Sequence, residues 1–254
     1  MNPRSDEETP EGGAPARSPS SSAPPSPDFS YLPFLLQTSD ALFPTGAYAH
    51  SLGFEEIVRL GLVKNEATLG TFLHQQIIPA QQQHELPYLR FAYEAAARSI
   101  EHLCAIDQEI SAWKVARETR EASAQLGGRR LRALRTISAS PQFTEFEAAI
   151  QQGHAAGHHL TVCGLQARVE SIPLHAALTT YFYQSLAAIC AAALKLIRIG
   201  QDGCQRVLRT ACLQAESTVQ SSLAVPRDNA GWFNPLLEIA AMRHERADER
   251  LFIS

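Results

Sequence analysis

Apolar residues return at spacings of three and four along almost the whole chain after Tyr31, and that rhythm admits little besides helices. Ile106, Ile110 and Trp113 keep it, and Val207, Leu208, Ala211, Ala215 and Val219 keep it again farther on. Strands need a different rhythm, alternating β-branched and polar residues bounded by turns. That alternation is nearly absent, and Thr161 to Val169 is the only stretch that leaves the choice open. The chain therefore reads as all-α. Punctuation at Pro44, Gly61, Pro79, Pro87, Gly127-Gly128, Pro141, Pro173, Gly200, Pro226 and Pro235 cuts it into about nine or ten helices of ordinary length. Leu174 to Ile199 is apolar nearly all round, which predicts a central helix wrapped by the others. No internal repeat is visible, and one domain over residues 29–254 is sufficient.

Residues 1–28 read differently. They hold seven of the fifteen prolines and six serines with almost no large apolar side chain, so they are predicted to form a disordered tail. The remainder is close to neutral, within a formal net charge of -4 for the whole chain. That balance argues against nucleic acid as a partner, because binding to a phosphate backbone leaves a basic footprint. Five cysteines, Cys104, Cys163, Cys190, Cys204 and Cys212, are odd in number and never spaced C-x-x-C, which indicates a reduced chain rather than a disulfide scaffold or zinc knuckle. No apolar leader opens the sequence, so a cytoplasmic location is expected. The most apolar run, Leu186 to Leu194, is far short of the ~20 residues that cross a bilayer and is expected to be a buried core helix, with no membrane partner.

Catalytic motifs are missing. There is no phosphate-cradling G-x-x-x-x-G-K-[ST], no G-x-S-x-G, and Asp40, His50 and Ser51 have no triad spacing. His154, His158, His159 and Cys163 recur at four, a spacing that suits nickel or zinc on a helix, but Gly153, Gly157 and Gly164 interrupt that helix. Buried, hydrogen-bonded histidines are favoured over a metal site. Arg129, Arg130, Arg132 and Arg135 are read as a solvated face rather than an anion grip. In Asp40 to Ser51, Pro44 and Gly46 force a tight turn, Thr45 is placed to cap a helix beginning near Gly46, and that helix is predicted to run to about Leu60. Tyr48, Leu52, Glu55 and Arg59 would share one of its faces, as a contact surface or as internal packing.

The end of the chain, Met242 to Ser254, is a charged run closing on Leu251, Phe252 and Ile253. Two readings stand: these apolar residues fold back onto their own domain, or they await a partner. Glu245 with Glu249 and Arg246 with Arg250 would repel at i,i+4 in a helix, so docking must supply the order. The charged run is expected to add little buried area.

Three ordered blocks carry a resemblance. Leu35-Leu36-Gln37 with Ser39-Asp40 leads to Phe43-Pro44-Thr45-Gly46 and His50-Ser51-Leu52-Gly53-Phe54-Glu55; Ile199-Gly200-Gln201 with Gln205 follows; His244-Glu245 with Arg250-Leu251-Phe252 and Ser254 closes the chain. Together they resemble the UreF family of urease accessory proteins. Ala47, Ile253 and His158-His159-Leu160 depart from the usual pattern. The resemblance implies an all-α homodimer without enzymatic activity or a cofactor of its own, standing between a nickel-carrying UreG-like GTPase and a UreD/UreH-like protein during nickel insertion into apo-urease. It implies partner-binding roles for Tyr48, His244, Glu245, Arg250, Leu251 and Phe252. Two other roles stay open: regulation of the GTPase's turnover, with Arg250 as first candidate, and direct nickel carriage through His154 to Cys163.

Overall fold

A computed structural model describes Met1 and residues 28–46, 50–51 and 53–253. The tail predicted over residues 1–28 lies almost entirely outside the described residues, and so do Tyr48 and Leu52. The rest is helical: α1 (Leu32–Ser39), α2 (Phe54–Arg59), α3 (Glu66–Phe72), α4 (Ile78–Ala80), α5 (Leu86–Ala96), α6 (Ile100–Trp113), α7 (Arg117–Ile137), α8 (Pro141–Gln151), α9 (His159–Val169), α10 (Leu174–Leu196), α11 (Gln201–Cys212), α12 (Ala215–Leu223) and α13 (Pro235–His244). Ten of these run eight residues or more, and no strand occurs among the described residues.

Pro79 and Pro87 do not break the chain as predicted. Residues 66–96 form one continuous rod in which α3, α4 and α5 are joined by two π turns, Leu73–Ile77 and Gln81–Glu85. A proline lacks an N–H and its ring collides with the carbonyl four residues back. In a π turn the bond reaches five residues back instead, and here Ile78 N–H donates to Leu73 and Leu86 N–H to Gln81, immediately ahead of each proline. The wide turns give the rings room, and the rod continues.

The centre of the core is the crossing of α5 and α9. Leu86, Leu89 and Ala92 face Leu160, Leu165 and Ala167 within one continuous apolar cluster. Gly164 makes the crossing close, since a Cβ there would lie 2.6 Å from the Ala92 Cβ and 2.9 Å from the Leu89 carbonyl oxygen. Gly127 does the same for α7, where a Cβ would lie 2.0 Å from the Gly157 carbonyl oxygen. The Gly127-Gly128 pair is thus a contact point inside a 21-residue helix rather than a break. The stretch that left the choice open, Thr161 to Val169, is helical. Its first turn is secured by Asp107, fully buried, which accepts from Ala156 N–H at 2.6 Å, Gly157 N–H at 3.0 Å, His158 N–H at 2.8 Å and the Thr161 hydroxyl at 2.6 Å.

Helix α10 is wrapped on one face only. Leu178, Phe182, Leu186, Cys190 and Ala193 are buried, while Tyr183 and Leu194 are exposed and Ala187 and Ala191 lie between them on the same stripe. Its 23 residues are long and apolar enough to cross a membrane by length and composition alone, yet it packs against α2, α5, α9, α11 and α12. Nor are the α7 arginines a uniform solvated face. Arg130 is buried and donates to Gln166 at 2.8 Å, whose amide donates to the Thr38 hydroxyl at 2.8 Å, a polar chain linking α7, α9 and α1.

Candidate partner-binding site

The site forms where the C-terminal segment returns to α2 and the start of α7. Helix α2 begins at Phe54, later than the predicted start near Gly46, because Gly46 and Gly53 both take left-handed backbone conformations (φ 74° and 86°) that end a right-handed helix. Gly53 also lets α13 sit close, since a Cβ there would lie 3.1 Å from the Ala241 nitrogen. The predicted helix end at Gly61 holds, with Arg59 the last helical residue. Phe54 and Ile57 turn inward, while the first-turn acids Glu55 and Glu56 face α13 and the tail.

Helix α13 is fastened at its start by Asn234, whose side chain accepts from Leu236 and Leu237 N–H at 3.1 and 3.3 Å. It ends at His244, so Glu249 and Arg250 are not helical and the predicted i,i+4 repulsions do not arise. Glu245 instead pairs with Arg117 at the start of α7.

His244 is 1% exposed. Its Nε2 lies 2.9 Å from Glu55 Oε2, and its Nδ1 lies 2.9 Å from Glu118 Oε1. Glu55 then reaches past the ring: it accepts from Leu251 N–H at 2.9 Å and from Phe252 N–H at 3.0 Å. Burial raises the pKa of Glu55, but the two amides and His244 outweigh it and hold the carboxyl below the ordinary range. Arg250 Nη1 stands 3.5 Å from Glu118 Oε1. Phe252 is buried, with Lys195 of α10 5.1 Å above its ring, whereas Leu251 and Ile253 remain 62% and 58% exposed.

The fold-back reading holds for Phe252, while Leu251 and Ile253 face water. The expectation of little buried area fails at His244 and Phe252, since the two carboxylates draw one in and a pocket beside α10 takes the other. In the sequence Glu55 belongs to the predicted helix face and to the first block of the resemblance, whereas Glu118, in the first turn of a charged helix, looks like an ordinary solvated acid. Beside the latch lies a cleft of about 230 Å³ lined by His50, Arg117, Glu118, Glu121, Glu245 and Arg250.

The four candidate metal residues are not brought together as one set. His158 is fully buried and its Nε2 bonds the Ser111 hydroxyl at 2.7 Å; His159 faces Cys163 at 3.6 Å; the His154 backbone carbonyl accepts from Gln108. Among the described residues no three of the His, Cys, Asp and Glu side chains are grouped as a metal ion would require. Burial pushes His158 down to about 4 and His159 to about 3, so both rings stay neutral in the folded chain. His84, in an aromatic-walled cavity beneath Phe54 and Trp113, is likewise held at about 3 by burial and by Lys114.

The sequence model of the family described as UreF matches residues 63–212. The chain is 34% identical to the urease accessory protein UreF of Paenarthrobacter aurescens (strain TC1) over 220 residues, which cover 87% of this chain and 96% of that one. It is 34% identical to the protein of the same name from Arthrobacter sp. (strain FB24) over 225 residues, with 89% and 98% covered. The corresponding protein of Actinobacillus pleuropneumoniae is 28% identical over 221 residues, with 87% and 97% covered.

Proposed function

Because this chain belongs to the UreF family of urease accessory proteins, and so to urease maturation, we propose that it is a scaffold without chemistry of its own. It bridges a nickel-carrying UreG-like GTPase and a UreD/UreH-like protein, as a homodimer in the cytoplasm, while nickel is delivered to apo-urease. It holds no cofactor; nickel is handled by the complex. The observation that supports this reading is the tail itself. A half-exposed guanidinium, Arg250, and two exposed apolar side chains, Leu251 and Ile253, are held outward by a segment anchored at His244, Glu245 and Phe252. Anchored backbone with unsatisfied apolar side chains suits docking, because the ordering entropy has already been lost before the partner arrives.

The contact set is Tyr48, Arg250 and Leu251, with His244, Glu245 and Phe252 shaping the segment from within. Arg250→Ala is the test, read by co-purification of the GTPase with the protein and its UreD-like partner. An arginine at the desolvated centre of an interface contributes about 2 kcal/mol or more, so GTPase recruitment falls at least ~10-fold while the chain stays folded. Normal recruitment by Arg250→Ala overturns the role given to it.

A further inference from the structure

Resting on the reading that the tail recruits the GTPase, we propose that His244 is the positioning residue for Arg250 and that it works as an imidazolium, its two N–H groups clamping Glu55 and Glu118. Each ring nitrogen lies 2.9 Å from a carboxylate oxygen, and a ring with one N–H can donate to only one of two ionised carboxylates, whereas the imidazolium donates to both. Charge agrees with this. Glu55 comes from α2, Glu118 from α7 and Arg250 from the tail; with the ring charged, two anions meet two cations, and with it neutral one anion is left over.

The surrounding charges do not replace it. Glu56, next to Glu55, is occupied by Arg59 and Arg243, and Glu245 by Arg117. Lys195 of α10 lies over Phe252 rather than on the carboxylates. His50 and Glu121 line the cleft on the open side of Glu118, which gives water a route to the latch. Without the second N–H Glu55 is no longer held toward the ring, and the same carboxylate that caps Leu251 and Phe252 N–H is released. On the acid side Glu55, held below the ordinary carboxylate range, keeps the caps until its own protonation.

The test uses the full chain alone, labelled with ¹⁵N in histidine, so that partners play no part. Ring-nitrogen shifts of His244 and amide-exchange protection of Leu251 and Phe252 are followed together from pH 5 to 9. Both ring nitrogens should report protons wherever the two amides are protected. His244→Gln should lose the same protection at every pH and recruit the GTPase at least tenfold less well, although Arg250 is intact. A neutral His244 beneath a protected tail overturns the proposal, as does a His244→Gln variant whose tail stays protected. If tail protection falls in His244→Gln and recruitment does not, the latch stands and the docking role of the tail fails.

Discussion

Asp107 is the residue on which most of the α9 end depends. Four donors converge on its carboxylate, three of them backbone N–H groups of residues 156–158 that would otherwise be buried without partners. Asp107→Asn replaces one acceptor oxygen by an NH₂ that faces donors. Leaving charged-group hydrogen bonds unmade at this depth is expected to cost about 3 kcal/mol. For a chain of this size that lowers the melting temperature by roughly 6–12 °C. Thermal unfolding followed by helicity checks it, and an unchanged midpoint would show that the site relaxes. In sequence, Asp107 is an unremarkable polar position inside the Ile106/Ile110 rhythm, because its partners lie some fifty residues away. Arg250 and His244 were legible as a motif, but Glu118 was not, since a carboxylate that fastens a tail and one that faces water have the same local pattern.

Among the elements, the helical periodicity was legible along most of the chain, Thr161 to Val169 and the start of α2 excepted, and the punctuation only partly. Pro79 and Pro87 read as breaks because the rule assumes bonds to the residue four back; the π turns ahead of them alter that premise, and no residue type announces a π turn. Helix α10 was legible as the most apolar helix, but not its exposure on one side, which depends on how many neighbours there are to cover it. The stripe through Tyr183, Ala187, Ala191 and Leu194 is apolar and partly exposed, a single patch of the kind a two-fold self-contact can use. If this stripe pairs two copies, the unaltered chain should be a dimer by light scattering at micromolar concentration, and Tyr183→Glu combined with Leu194→Glu should give a monomer of unchanged helicity. A doubly substituted chain that is still dimeric would move the contact elsewhere.

For the molecule as a whole, stability depends on keeping protons off its core. His84 and His158 are both buried and held at about 3 and about 4, far below the ordinary histidine value of about 6.5. Their folded values are depressed, so the unfolded chain takes up the protons first. Their stabilisation is complete above about pH 6.5 and is lost as pH falls toward the folded values. These two rings alone correspond to a slope of about 2.7 kcal/mol per pH unit once the unfolded chain is fully charged, and His159, held at about 3, adds to it in the same sense. Urea midpoints measured between pH 7 and 5 should fall on the acid side, and a flat profile would mean that these rings accept protons in place. The latch at His244 is built differently, because its ring sits between two carboxylates, whereas burial keeps His84 and His158 uncharged. One residue type thus fills the middle of the chain and clasps its end.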